Sequence, residues 1–219
     1  MADFSDMTLD ELRLALAPAV ADAAVFDGWS EAAIFYAAEQ AGVDPAVAAL
    51  AYPGGAMDMI AAWIGSIDQA MTAAFPADRI AGMKIRERIT ALVQFRLDTM
   101  EPHQEAVRRA LAIMAMPQNA PRALSLGWAS ADLMWRIAGD TATDYNHYTK
   151  RAMLGSIYAA TLAVFASDES ECMADTRAFL GRRIDGVMAF ERTKAKWLAG
   201  DRETFSVTRF LGRLRYPAR

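Results

Sequence analysis

The chain has 219 residues, 54% of them hydrophobic, a formal net charge of −4 and a single cysteine, Cys172. This length suits one domain, or one domain with a small appendage, that can bury a large core. One cysteine excludes an internal disulfide framework, and no apolar run approaches the roughly 18 residues that a membrane-spanning helix needs. The composition predicts a soluble or membrane-peripheral protein from a reducing compartment.

Charge is distributed unevenly along the chain. Residues 1–78 contain twelve acids and one base, Arg13, whereas the last 43 residues contain eleven bases and four acids. The first residues have neither the basic and apolar pattern of a secretory signal nor the Arg-rich pattern of a transit peptide. We therefore expect no targeting peptide in this chain, and either a bacterial cytoplasmic location or a processed organellar form.

Almost every segment favours helix, because Ala, Leu, Met, Glu and Arg dominate and alternating runs of β-branched residues are absent. Proline and glycine mark the ends of the segments. The sequence predicts an all-α protein with helices at about 8–24, 30–41, 45–51, 56–75, 80–99, 102–115, 121–138, 142–166, 171–198 and 203–214.

Residues 28–53 have the layout of a helix-turn-helix, with two helices joined by an Ala-Gly-Val turn. This segment resembles the amino-terminal unit of TetR-type repressors, where a three-helix module precedes a larger helical ligand-binding domain. A recognition helix needs base-reading side chains and cations for phosphates, and residues 44–53 contain neither. We therefore expect a degenerate helix-turn-helix that binds no nucleic acid.

The two helices that follow combine apolar faces with polar interruptions. The helix at 121–138 is apolar on nearly all sides, so it is either ordinary core or one wall of a cavity. The helix at 142–166 has an apolar stripe that turns polar at its start, at Asp144, His147 and Arg151. Buried and unpaired, such groups would cost about 1 to 3 kcal/mol each. They must form a network or bind a partner.

Motifs for catalysis are absent from the sequence. A di-iron site in a helical bundle needs two Glu-x-x-His pairs, but His103 and His147 are the only histidines and neither follows a glutamate by three. A zinc site, a phosphate loop, dinucleotide-binding glycines and a Gly-x-Ser-x-Gly elbow are also missing. Asp140, Asp144 and His147 could form an acid-base cluster, without a nucleophile or cofactor signature. We expect no enzyme activity, no metal and no cofactor.

The segment after Gly200 alternates bulky apolar residues with arginines. This pattern is typical of an amphipathic helix at a membrane surface, although a helix packed on its own domain or on a dimer partner has the same composition. The scarcity of acids nearby favours the membrane. The residues that we predict to bind the membrane are Phe205, Arg209, Phe210, Arg213 and Leu214.

Residues 138–151, Ala-Gly-Asp-Thr-Ala-Thr-Asp-Tyr-Asn-His-Tyr-Thr-Lys-Arg, form a long run of unusual composition. Together with Tyr158-Ala-Ala-Thr161 and the later run 175–184, this run resembles the ubiquinone-biosynthesis accessory family known as coenzyme Q protein nine. The resemblance extends over nearly the whole chain. The resemblance implies a TetR-like helical bundle in three parts. These are a degenerate helix-turn-helix module at 1–55, a lipid-binding and dimerisation domain at 56–200, and an amphipathic membrane-binding tail at 201–219.

The resemblance also implies a function, because that family consists of non-enzymatic, dimeric lipid-binding proteins. The chain is expected to bind isoprenoid quinone intermediates and present them to the di-iron demethoxyubiquinone hydroxylase, at the inner membrane of a bacterium. The lipid-binding residues that we predict between the two central helices are Trp128, Leu133, Ile137, Tyr158, Leu162 and Phe165. The partner contacts of the family map onto Met134, Asp144, His147 and Tyr148.

Two other hypotheses fit the sequence. The chain could be a degenerate TetR-type regulator that binds a small apolar effector, or a dimeric scaffold without a ligand. Some members of the resembling family have tryptophan where this chain has His147, which implies a weaker or differently shaped apolar anchor at the partner interface.

Overall fold

A computed structural model describes residue 4, residues 6–143 and residues 145–200, apart from the side chains of Tyr145 and of residues 188–200. In this part of the chain the regular secondary structure is helical and contains no strand. Among the described residues, one compact unit extends to Gly181, and residues 182–200 belong to a second unit. The predicted division at residue 55 and the predicted membrane-binding tail stay predictions, and the tail lies outside the described residues.

The α-helices differ little from the segments that proline and glycine predict. They are α1 (Leu9–Asp27), α2 (Glu31–Ala41), α3 (Pro45–Leu50), α4 (Ala56–Ala74), α5 (Ala77–Ala81), α6 (Ile85–Met100), α7 (Gln104–Met114), α8 (Ala120–Ile137), α9 (Tyr145–Phe165) and α10 (Ala174–Gly200). Short 3-10 turns occupy Glu101–His103 and Glu171–Met173. The helix predicted at 203–214 falls outside the described residues.

One predicted helix, at 80–99, is wrong at its start. The short helix α5 ends at Ala81, and α6 begins only at Ile85. Gly82 favours a break because glycine is a poor helix former. Lys84 then adopts extended backbone angles, and its N–H donates to the Glu87 carboxylate at 2.9 Å, which caps α6.

The helix-turn-helix geometry is present in α2 and α3. Gly42 ends α2 in the left-handed conformation, with φ at 69°, and the Val43 N–H donates to the Ala38 carbonyl at 2.9 Å. This pattern is a helix C-cap that favours glycine. The Asp44 carboxylate then caps α3 by accepting the Ala46 N–H at 2.8 Å. The turn residues therefore specify the motif, while α3 itself carries no cation.

The helix α4 is central to the first unit, where it contacts α1, α6, α7 and α8. Helices α8 and α9 pack against each other, and each also contacts α6. Trp29 fixes the end of α1 to α7, since its indole N–H donates to the Ala106 carbonyl at 2.9 Å and its ring lies 5.4 Å from that of Trp63. No described helix has the length and apolar character to cross a membrane.

The turn between α9 and α10 is organised by one buried carboxylate, Asp168. One of its oxygens accepts the Ser170 N–H at 2.8 Å and the Ser170 hydroxyl at 2.5 Å. The other accepts the Thr176 N–H at 2.8 Å and the Thr176 hydroxyl at 2.5 Å. Burial alone would raise the pKa of Asp168, but the four hydrogen bonds outweigh it and lower this pKa to about 2.

We expect Asp168→Asn to lower the free energy of unfolding at pH 7 by roughly 1 to 3 kcal/mol, because an amide nitrogen would face buried donors. The pKa of Asp168 is about 2 in the folded protein and about 3.9 in an unfolded chain. The carboxylate therefore stabilises the fold fully above about pH 4, and this stabilisation is lost as the pH falls toward 2.

Urea unfolding of both proteins between pH 7 and pH 2.5 measures the effect. The difference between wild type and Asp168→Asn should shrink below pH 4, whereas Glu169→Gln, at an exposed neighbour, should match wild type at neutral pH. A difference that stayed constant to pH 2.5 would contradict the role of the carboxylate.

Candidate functional site

A cavity of about 610 Å³ lies among α4, α6, α7, α8 and α9. Its wall is mainly apolar and includes Trp63 and Met100 from the centre of the bundle and Leu124, Trp128 and Leu162 from α8 and α9. Leu124 is 75% exposed and Trp128 is 39% exposed, so the cavity reaches the protein surface beside them. Its size and apolar lining are those of a small-molecule or lipid site.

Three of the residues predicted to bind lipid line this cavity, namely Trp128, Tyr158 and Leu162. The other three lie outside its lining. Helix geometry places Leu133 and Ile137 about 140° and 180° around α8 from Trp128, where they are half-buried on other faces. Phe165 shares the face of Tyr158 but lies two turns further along α9, fully buried.

The walls supplied by α4, α6 and α7 were not predicted from the sequence. One signal for them was available in α6. Arg96 is four residues after Leu92 and four before Met100, so it shares a helix face with two apolar residues. A basic side chain on an apolar face indicates a buried polar interaction.

Arg96 is the centre of a buried polar cluster on the cavity wall and is 1% exposed. Its Nε donates to the Tyr158 hydroxyl at 2.9 Å, its Nη2 donates to the Ser130 hydroxyl at 3.2 Å, and its Nη1 contacts the Asp68 carboxylate. Burial by itself would lower the pKa of Arg96, but the interactions with Tyr158 and Asp68 outweigh it and raise this pKa above the ordinary value. The wall therefore carries a neutralised ion pair and two hydroxyl groups.

A second buried cation, Arg151, also lines the cavity and joins α8 to α9. Its Nε donates to Asp132 at 2.5 Å and its Nη1 to Asp140 at 3.0 Å. Lys150 donates to the other oxygen of Asp140 at 2.6 Å, and Arg136 contacts the other oxygen of Asp132 at 3.0 Å. Burial opposes ionisation of Asp140, but the bonds from Lys150 and Arg151 outweigh it and hold its pKa below the ordinary value.

Asp140 reaches this position because Gly139 ends α8 in the left-handed conformation, with φ at 88°. The Asp140 N–H donates back to the Trp135 carbonyl at 2.9 Å, which closes the helix C-cap. Arg88 of α6 donates to the neighbouring Ala138 carbonyl at 2.8 Å. A Cβ on residue 139 would lie 3.2 Å from this guanidinium, so glycine suits both the angle and the space.

The predicted partner residues are placed differently from one another. Tyr148 is 61% exposed, and its ring lies 5.1 Å from that of His147 and 6.2 Å from that of Trp128. His147 is half-buried, with its Nδ1 at 3.0 Å from the Ala142 carbonyl. Met134 is fully buried and does not reach this surface. Asp144 lies outside the described residues. We call Trp128, His147 and Tyr148 the aromatic corner.

The arrangement offers an apolar interior and an aromatic surface that can bind a ligand or a partner. The aromatic corner shares Trp128 with the cavity, so an exposed aromatic surface and an apolar interior are continuous. Among the described residues, no group of three or more His, Cys, Asp or Glu side chains is placed to hold a metal ion. Asp140, which the sequence placed in a possible acid-base cluster, is instead bound by Lys150 and Arg151.

Residues 120–191, which contain α8 and α9, match the family model described as COQ9. The chain is 32% identical over 173 residues to the human mitochondrial protein named ubiquinone biosynthesis protein COQ9, a match that covers 76% of this chain and 54% of that protein. It is 44% identical over 101 residues to the Rattus norvegicus protein of that name, covering 46% and 32% respectively. The chain thus spans about half the length, or less, of these relatives.

The fold also has a solved counterpart. The crystal structure of a TetR transcriptional regulator from Nitrosomonas europaea matches with a TM-score of 0.64 at 21% identity, and the match covers 80% of this chain and 97% of the regulator. This similarity confirms the predicted all-α, TetR-like fold.

Proposed function

Because the chain belongs to the COQ9 family of ubiquinone biosynthesis proteins, we propose that it is a non-enzymatic accessory protein of that pathway. In this proposal it binds isoprenoid quinone intermediates and presents them to the di-iron demethoxyubiquinone hydroxylase. The observation that carries the proposal is the cavity of about 610 Å³, whose apolar walls suit an isoprenoid chain.

Trp128, Tyr158 and Leu162 are the lipid contacts that we propose on the cavity wall. Presentation to an enzyme requires that the ligand site and the docking surface adjoin. The aromatic corner meets this requirement, because Trp128 lines the cavity and the neighbouring Tyr148 is exposed to solvent. Aromatic side chains of this kind are common anchors of protein interfaces.

Native mass spectrometry with lipid extraction tests the lipid-binding function. The full chain, purified from a lysate in which the membranes were kept, should carry isoprenoid quinones or related lipids. A protein without bound lipid under these conditions would count against the proposal.

We expect Tyr148→Ala to weaken association with the hydroxylase about tenfold, because an exposed aromatic anchor is worth at least 1 to 2 kcal/mol at an interface. Helical content should be unchanged, since Tyr148 is 61% exposed. Surface plasmon resonance measures the affinity and circular dichroism the helical content.

Tyr36→Ala is the matched control, because Tyr36 is a tyrosine on α2 with 51% exposure, far from the aromatic corner in sequence. It should leave the affinity at the wild-type value. An equal loss in both variants, or no loss with Tyr148→Ala, would remove the aromatic corner from the interface.

We further propose that the protein is a homodimer and is peripheral to the bacterial inner membrane. The support for membrane binding is the sequence after Gly200, where Phe205, Phe210 and Leu214 alternate with Arg209 and Arg213. Apolar side chains of such a segment enter the acyl boundary, and each arginine near anionic headgroups contributes about 1 kcal/mol.

The TetR-like fold favours one second candidate, a degenerate regulator that binds a small apolar effector in the same cavity. Its DNA contacts would have to come from α3, whose sequence Pro45-Ala-Val-Ala-Ala-Leu50 has no base-reading or phosphate-binding side chain. The mass spectrometry experiment separates the two functions, because a bound compound without an isoprenoid chain would favour the regulator.

A further inference from the structure

The cavity wall contains a cluster of three polar side chains that lipid-chain binding does not require. Arg96, Ser130 and Tyr158 line the cavity and are 1%, 2% and 6% exposed. They come from α6, α8 and α9, so three helices bring them together. Buried polar groups in an apolar wall are costly unless they are hydrogen-bonded, and their hydrogen bonds indicate which kind of ligand they suit.

Arg96 determines how the two hydroxyl groups are oriented. A guanidinium only donates hydrogen bonds, so the Ser130 and Tyr158 oxygens accept from Arg96 at 3.2 Å and 2.9 Å. Their hydroxyl hydrogens must therefore point away from Arg96. Within the described part of the chain, the hydrogen bonds of these two hydroxyls are the ones that they accept from Arg96. The wall thus offers two O–H donors beside the cavity.

The charge of the cluster narrows the choice of ligand. Asp68 contacts Arg96 directly and neutralises it, so the cluster has no free positive charge for a phosphate or carboxylate group. Two O–H donors beside a neutral ion pair suit an uncharged acceptor oxygen.

We propose that Ser130 and Tyr158 bind an uncharged carbonyl or ether oxygen on the ring of the ligand, with Arg96 as the residue that orients both hydroxyls. This inference rests on the proposed lipid-binding function and deepens it. It assigns the polar end of the ligand to the Arg96 cluster and the isoprenoid chain to the apolar remainder of the cavity.

The test compares two probes with the full-length protein. One is a benzoquinone with a short isoprenoid chain, and the other is an isoprenoid hydrocarbon of the same chain length without oxygen. Wild type should bind the quinone about ten- to thirtyfold more tightly, the gain expected from two hydrogen bonds. Ser130→Ala and Tyr158→Phe should each reduce the ratio of quinone affinity to hydrocarbon affinity several-fold.

Ser156→Ala is the matched control, because Ser156 also lines the cavity but already donates its hydroxyl to the Met153 carbonyl at 2.8 Å. It should keep the full preference for the quinone. Infrared spectroscopy gives a second measurement, since the quinone carbonyl band should move to lower frequency on wild type and back toward its apolar-solvent position in Ser130→Ala and Tyr158→Phe.

The possible outcomes distinguish a failure of the assignment to Ser130 and Tyr158 from a failure of the proposed lipid-binding function. If wild type and both hydroxyl variants prefer the quinone equally, or if the carbonyl band does not move on wild type, the assignment to Ser130 and Tyr158 is overturned while lipid binding stands. If wild type binds neither probe, the proposed function itself fails.

Discussion

Arg151→Met should lower the free energy of unfolding by about 3 kcal/mol, the cost of removing one member of a buried ion pair. Arg151 is 2% exposed and bonds to Asp132 and Asp140. Among the described residues, its loss leaves Asp140 with Lys150 as its one ionic partner. The methionine conserves apolar volume, so the expected loss comes from the charge rather than from a new void.

Arg136→Met is the matched control. Arg136 contacts the same Asp132 carboxylate at 3.0 Å, but its side chain is 63% exposed, and surface ion pairs contribute at most about 1 kcal/mol. Chemical denaturation of both variants measures the two losses. Adding Asp132→Asn and Asp140→Asn to Arg151→Met should recover part of the stability, because it removes the unpaired charges. Equal losses in the two single variants would contradict the role of burial.

Gly127→Leu should reduce the lipid bound per protein at least tenfold. Gly127 lies within α8 on the cavity wall, and a Cβ added there would meet no atom within 4 Å. The leucine side chain would therefore occupy cavity space that the ligand needs. The fold should not suffer, since glycine in a helix interior costs up to about 1 kcal/mol relative to better helix formers.

Gly181→Leu controls for the helix effect. Gly181 is also within a helix, α10, and an added Cβ there likewise meets no atom within 4 Å, but this residue does not line the cavity. Quantified lipid extraction should find wild-type lipid in Gly181→Leu and little in Gly127→Leu, with both variants at least as stable as wild type. Full lipid content in Gly127→Leu would place the ligand elsewhere.

Local sequence patterns predicted the helices, the turn of the helix-turn-helix and the family. They also predicted that the polar start of α9 must be networked or bind a partner, and the structure shows the first outcome at Arg151, which bonds to Asp132 and Asp140. The run at 138–151 was informative because Gly139 and Asp140 serve the helix end and the ion pairs together. The family, first inferred from this run, is supported by the family-model match over residues 120–191 together with the 32% identity to the human relative over 173 residues.

The cavity could be predicted only in part, because it is formed by the gap between helices distant in sequence. Periodicity placed Tyr158 and Leu162 on one face of α9, and this face lines the cavity. It could not indicate that α4, α6 and α7 complete the wall, nor that Arg96 bonds to Tyr158 across 62 positions of sequence. Such contacts depend on helix packing, which local propensity does not encode.

The two ends of α8 are held with unequal strength. At Gly139 the helix meets a capped turn, an arginine from α6 and buried ion pairs, whereas near its start the pair between Arg122 and Asp58 is partly exposed. With 18 residues at about 1.5 Å each, α8 is roughly 27 Å long. A 10° rotation of the helix about its Gly139 end would therefore displace its first residue by roughly 5 Å. We therefore expect a long ligand to enter beside Leu124, far from the ion pairs.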